Sequence, residues 1–291
     1  TWLSQGLASM ARMGGQVQIA QCIGRGEKEK AHGYAQTAMQ LALLMGLAYG
    51  IIVALFANQL VGFFKLDDAE TLSAALDYTK IACGFIVFSF LSFTLTGIYT
   101  AQGDSKTPFI ANLFGLAANM ILDPVLILGP GPFQRFGAAG AAMATVLAQV
   151  CSLLYCYIYI RRIKELEFTA TDWKVRIHIV KYLMLKGIPV AVMNSVTSFG
   201  GMILQYFVNA MGTLYVAAYA ACMKLCSLFE QAGGAVGLAI LTFTGQNYGA
   251  NKIKRIRRGV WDGILLSTLI NIPICLVQLI IPEILTRLML N

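Results

Sequence analysis

Apolar runs of about 20 residues, the length that crosses a bilayer core, recur along this chain and constrain it more than any other feature. They give eight candidate spans, roughly 1–23, 34–57, 76–101, 108–128, 137–160, 182–211, 213–244 and 259–281. A helix buried in a water-soluble domain is shorter and keeps one polar face. Only 12% of the residues are charged and the mean hydropathy is +0.67. A soluble domain carries about 25% charged residues to wet its surface. The expected fold class is therefore an all-α integral membrane protein. The first run is polar for a span, with Gln5, Arg12, Gln16 and Gln18, and the chain opens at Thr1 already in helical pattern. It reads as an internal piece of a longer protein. Glycine and proline mark the joints: Gly24 and Gly26, Gly103 and Pro108, and the run Gly129 to Pro132.

The formal charge of +8 would suit a nucleic-acid partner, but its distribution argues for a membrane. Fifteen of the 22 basic residues fall in loops 24–33, 102–107, 161–181 and 245–258. The alternate segments hold three, Lys65, Arg135 and Arg287. Such an imbalance is what the positive-inside rule predicts, so the basic loops face the cytoplasm and no nucleic acid is expected. The seven cysteines lie mostly inside apolar runs without metal-type spacing, and read as small membrane-embedded apolar residues.

A repeat offset by 225 residues aligns Gln21-Cys22-Ile23-Gly24-Arg25-Gly26 with Gln246-Asn247-Tyr248-Gly249-Ala250-Asn251. Each copy ends a span on the cytoplasmic side, precedes a basic stretch and leads into another apolar run. The repeat is thus parallel, and relates two similar bundles by an axis along the membrane normal.

Five segments in order carry a resemblance to a known family. "QCIGRGEKEK" (Gln21–Lys30), "AQGDSKTPF" (Ala101–Phe109), "NMILDPVLILGPG" (Asn119–Gly131) with "FGAAGAAMATVLAQ" (Phe136–Gln149), "KGIPVAV" (Lys186–Val192) and "TGQNYGANKIKR" (Thr244–Arg255) resemble multidrug and toxic compound extrusion (MATE) transporters, bacterial branches most closely. The resemblance implies a two-lobed bundle with about eight of an expected twelve spans, family helices two to nine. Residues 1–160 would form the N-terminal lobe, 161–181 a cytoplasmic linker and 182–291 part of the C-terminal lobe. It further implies a multi-pass plasma-membrane protein, expected as a monomer, that exports organic, often cationic, solutes in exchange for Na⁺ or H⁺, with no cofactor. Some branches carry a functional acid in the first helix or early in the seventh. Here Pro189–Gln205 has none, offering Asn194, Ser195, Thr197, Ser198 and Gln205, so the resemblance does not assign the coupling ion.

Polar groups inside a bilayer are costly and mark candidate sites. Asn112, Asn119 and Asp123 stand at i, i+7 and i+11, on one helix face. A carboxylate with two amides there suits a proton or a Na⁺ held by oxygens; the alternative is that Asp123 braces the Gly/Pro turn that follows. Glu230 falls mid-span near Lys224 and Gln231, and reads either as a cation site or as the partner of Arg12 or Lys80. Arg12 lies about 16 Å deep at 1.5 Å per residue, placed to line a cavity or to pair with an acid elsewhere. Beyond Na⁺ near Asp123 or Glu230, no metal site is expected. Two glycine seams, Gly137 and Gly140 with Ala141, Ala142 and Ala144, and Gly233, Gly234 and Gly237, suit helices that pack closely and slide. The nearest rival reading is a lipid-linked saccharide flippase of the same wider superfamily, for which several inward basic residues are expected. An integral-membrane enzyme is disfavoured: His32 and His178 both lie in loops, and no intramembrane Ser-His or His-Glu cluster occurs.

Overall fold

A computed structural model of the chain describes residues 2–62, 69–129, 135–160 and 176–280. Most of the linker (161–175), the core of the Gly/Pro turn (130–134), Lys65 and the tail with Arg287 lie outside the described residues. The chain is helical in order: α1 (Trp2–Arg25), α2 (Lys28–Leu55), α3 (Ala57–Gly62), α4 (Ala69–Gly84), α5 (Val87–Ala101), α6 (Lys106–Leu128), α7 (Ala138–Ile160), α8 (Ile177–Ala210), α9 (Thr213–Gly249) and α10 (Ile253–Ile280). No strand occurs among the described residues.

The joints follow from local chemistry. α6 closes on Gly129 at φ 62°, whose N–H donates to Val125 O at 3.1 Å, the left-handed stop that costs glycine nothing. At its other end Asp104 accepts the backbone N–H of Lys106 at 3.0 Å and of Thr107 at 3.1 Å, and the Thr107 hydroxyl at 2.5 Å. One carboxylate thus satisfies two amides that the helix leaves unpaired. Asp104→Ala is expected to cost about 1 kcal/mol, read as a lower melting temperature of the full protein in detergent.

Six helices, α2 and α6 to α10, are long and apolar enough to cross a membrane. The expected span 76–101 is two helices, α4 and α5, bent by 42° between Gly84 and Val87. The bend fits the neighbour. A side chain at Gly46 of α2 would stand 2.8 Å from the Val87 Cα, and one at Gly50 would stand 2.9 Å from the Gly84 carbonyl oxygen. Two bare positions one turn apart therefore let α2 lie against both arms. α1 is helical as expected but is too polar to count as a span on composition. Met120, Ile121 and Leu128 of α6 and Trp261 and Leu279 of α10 stay more than 60% exposed. Lipid is the solvent in which such a surface carries no penalty.

The chain divides into two compact units, the first from residues up to Ile19 with Glu27–Ala191, the second from Ala20–Gly26 with the residues from Val192 onward. In the first, Ala8, Ala11, Ala38, Leu41, Ala42, Ile86, Phe90 and Leu183 form a buried core. Backbones approach closely there: a Cβ at Gly14 would be 2.6 Å from Leu183 O, and one at Gly187 would be 2.5 Å from Met10 O. Dispersion between close backbones, rather than hydrophobic exclusion, drives helix association in lipid. The buried Tyr99 hydroxyl donates to Cys156 O at 2.7 Å, tying α5 to α7.

The repeat is present in the geometry. Adding 225 to the start of α2 gives that of α10, Lys28 and Ile253. Their leading turns match as well. Gly26 and Asn251 both take positive φ, 77° and 57°, and their N–H groups donate to Ile23 O and Tyr248 O, each at 3.0 Å.

Candidate functional site

Within the first unit α1, α5, α6 and α7 enclose a cavity of about 400 Å³. Its wall carries many polar side chains although its helices are apolar, and most of its surface is still apolar. α5 gives Ser89, Ser92 and Thr96, α6 gives Asn112 and Asn119, α7 gives Thr145, Gln149 and Ser152, and α1 gives Arg12. Gly115, between the two asparagines, admits α7: a Cβ there would be 3.1 Å from Ala148 O.

Three sequence candidates therefore meet in one place, Arg12, Asn112 and Asn119. Asp123 stands one turn beyond, half-buried, and the Asn119 amide donates to its Oδ1 at 3.4 Å. The Ser152 hydroxyl lies 3.5 Å from Asn112 Oδ1, and Ser89 donates to Gln149 Oε1. Thr96 and Thr145 direct their hydroxyl hydrogens back to Ser92 O at 2.9 Å and Ala141 O at 3.0 Å. Spending the donor on the helix leaves each oxygen an acceptor towards the cavity. Asp123 is not itself among the residues lining the cavity; the Asn119 amide links it to that wall, and its carboxylate is of the oxygen type that suits a hard monovalent cation or a proton.

Arg12 is the one charged residue among those lining the cavity. Its Nε is buried with no hydrogen-bond partner among the described residues. Its guanidinium carbon sits 5.3 Å from the Phe93 ring centroid, a contact that favours a desolvated cation. It reaches there because Gly97 has no side chain; a Cβ would stand 2.8 Å from Arg12 Cγ.

The hydroxyl wall was not among the sequence candidates, yet it had a signal. Ser89, Ser92, Phe93 and Thr96 share the spacing of Thr145, Ala148, Gln149 and Ser152, steps of 3, 1 and 3 that put each set on one helix face. Serine and threonine are common in membrane helices, so the pattern stands out only beside the partner helix.

The remaining candidates belong to the second unit. Glu230, Lys224 and Gln231 are exposed on α9. Glu230 lies mid-helix, as its place in the run led one to expect, and among the described residues no ion pair engages it. On α8, Gln205 donates to Asn209 Oδ1 at 2.7 Å, and half-buried Asn194 accepts the Ser198 hydroxyl at its carbonyl, 2.8 Å. The two glycine seams differ. Gly140, Ala142 and Ala144 are packed closely against neighbours, whereas Gly234 and Gly237 face open space and Gly233 meets only Asn271 of α10.

An apolar exterior, long helices and a polar chamber inside one bundle define a multi-pass α-helical membrane protein. A family model described as MatE matches residues 1–125 and 189–291, and the chain belongs to that family. It is 27% identical over 261 residues to a probable multidrug resistance protein, YoeA, of Bacillus subtilis, covering 88% of this chain and 56% of the relative. It is 26% identical over 291 residues to a probable multidrug resistance protein, NorM, of Thermotoga maritima, covering 98% and 61%. A FAD transporter of Shewanella oneidensis is 25% identical over 252 residues, covering 83% and 54%. The chain thus spans little more than half the length of these relatives. Among solved structures, a MOP superfamily transporter from Pyrococcus furiosus superposes with a TM-score of 0.86 over 99% of this chain and 63% of that one, at 21% identity; at that identity the likeness speaks for the fold.

Proposed function

We propose that the full protein is a secondary active transporter that exports organic, often cationic, solutes in exchange for Na⁺ or H⁺ by alternating access. The observation that carries this reading is the chamber itself. A polar cavity within an apolar bundle serves no purpose in stability, because each buried polar group there must be satisfied at a cost. Asp123, held by Asn119 at the end of that cavity, is the group we assign to the coupling cation. The cavity wall, with Arg12, Asn112 and Asn119, is the surface we assign to solute or cation. Glu230, Lys224, Gln231, Asn194 and Gln205 belong to a second, partial set in the part of the chain from Val192 onward. We take residues 1–160 and 182–291 as portions of two lobes joined by 161–181, acting as a monomer without a cofactor, with the basic loops in the cytoplasm. A saccharide flippase calls for several inward basic residues, and Arg12 alone lines the cavity.

Expression of the complete gene in a host stripped of its own efflux pumps tests the reading. Ethidium accumulation is expected to fall on expression, and to recover when the coupling gradient is collapsed. Unchanged accumulation of ethidium and of a panel of organic cations, with either a Na⁺ or a H⁺ gradient imposed, would sink it.

A further inference from the structure

The repeated Gln-x-x-Gly sequence is not merely repeated; its two copies touch. Both belong to the second unit, at the last turn of α1 and the last turn of α9. Gly24 lies against the carbonyl of Gln246, and Gly249 lies against the carbonyl of Gln21. A Cβ at Gly24 would be 2.8 Å from the Gln246 carbonyl carbon and 3.1 Å from Ala250 N. One at Gly249 would be 2.9 Å from the Gln21 carbonyl carbon and 3.1 Å from its Cα. Residues 21 and 246, like 24 and 249, are equivalent at the offset of 225. The contact is therefore reciprocal, two like surfaces meeting about a local two-fold axis. It is made by bare backbone, glycine Cα–H against carbonyl oxygen, a weak interaction that recurs at close helix crossings.

Three features say what such a contact is for. It lies at the ends of two helices whose following loops carry Lys28 and Lys30, and Lys252, Lys254 and Arg255, the side that the positive-inside rule assigns to the cytoplasm. Both helices then stop at a left-handed residue, Gly26 or Asn251, so neither end extends past the contact. A junction without interposed side chains also parts and re-forms without rotamer repacking, and its symmetry makes both halves break together. We propose that the Gly24–Gln246 and Gly249–Gln21 pair is a seal between α1 and α9, which parts each time the cytoplasmic side opens. This rests on the alternating-access reading above.

Native Cys22 reports on the seal. It sits in the last turn of α1, between Gln21 and Gly24, and is 3% exposed. Inside-out vesicles holding the full protein are treated with a membrane-impermeant maleimide, and modification of Cys22 is read by peptide mass spectrometry. Labelling is expected to be slight at rest and to rise severalfold during ethidium turnover under an imposed Na⁺ or H⁺ gradient. Gly24→Ala and Gly249→Ala are each expected to raise the resting labelling by a similar factor and to slow export, because a methyl at either position keeps the junction from closing. Wild-type export with Cys22 labelling unchanged by turnover overturns the seal alone, as do wild-type rates and labelling in both variants. If neither variant folds, the wild-type turnover measurement decides by itself. A wild-type protein that exports nothing under either gradient removes the transport reading, and the seal falls with it.

Discussion

Asp123→Asn in the full protein is expected to lower cation-coupled export roughly tenfold or more, since removing the charge of a carboxylate in a low-dielectric site removes most of its hold on a cation or proton. The substitution is chosen because it separates two roles. Asparagine keeps the size of the side chain and an oxygen to accept the Asn119 amide, now at 3.4 Å. A purely structural brace for the turn after Leu128 would survive it. The melting temperature in detergent should therefore move little while the dependence of ethidium export on the imposed gradient collapses. Glu230→Gln is the companion measurement. Glu230 is exposed on α9, so its neutralisation should weaken coupling less than that of Asp123. Full coupled transport by the Asp123 variant would remove the cation site from this cavity.

The second large effect concerns the hairpin that carries Asp123. Gly140 of α7 lies against the Leu126 carbonyl, and a Cβ there would be 2.6 Å from the Leu126 carbonyl carbon and 3.1 Å from Ile127 N. The same carbonyl accepts the Phe136 N–H at 3.1 Å. It cannot retreat without breaking the bond that closes the turn. Gly140→Ala must push α7 off α6 over this length, and overpacking of this kind costs about 1–3 kcal/mol. Gly137 provides the control three residues earlier. It has φ of 54° but nothing within contact distance of a Cβ, so Gly137→Ala meets only the left-handed backbone penalty of about 1–2 kcal/mol. Thermal unfolding of both variants checks the stability claim. Ethidium export then separates them: Gly140→Ala should also impair transport through displaced Asn112 and Asn119, and Gly137→Ala should not. Equal transport by both would refute a mechanical link from Gly140 to the cavity.

Much of the fold was legible because it rests on short-range rules. Apolar run length set the helices, and loop charge gave them a side. The 225-residue offset, supported by only two identical letters in its six-residue core, Gln21 with Gln246 and Gly24 with Gly249, recovered the matched starts of α2 and α10. The break between α4 and α5 was not legible. No proline marks the place, Gly84 is one glycine among many, and the bare strip at Gly46 and Gly50 that lies against the bend is on another helix, about 40 residues earlier. The site was half legible. Asn112, Asn119 and Asp123 could be read from one helix, since a shared face is a matter of counting. The hydroxyls of α5 and α7 could not, because a serine becomes a cavity wall only when two helices turn the same kind of face towards each other. Glu230 shows the limit from the other side: its position within a run measures depth along the helix and does not by itself choose between a cation site and a structural partner.

The bare contacts between α6 and α7 have one more consequence. Gly115 meets Ala148 and Ser152 at one level, Gly140 meets Leu126 at another, and the Phe136–Leu126 bond pins the connecting turn. Fastened at several heights, the pair behaves as a single plank. α5 is tied to the same pair by the Tyr99–Cys156 and Ser89–Gln149 hydrogen bonds, so three walls of the chamber are fastened together and the fourth, α1 with its arginine, meets them by packing at Gly97. With the walls fastened in this way, trimming the hydroxyl of Ser92 should change what fits inside the chamber without moving Asn119 or Asp123.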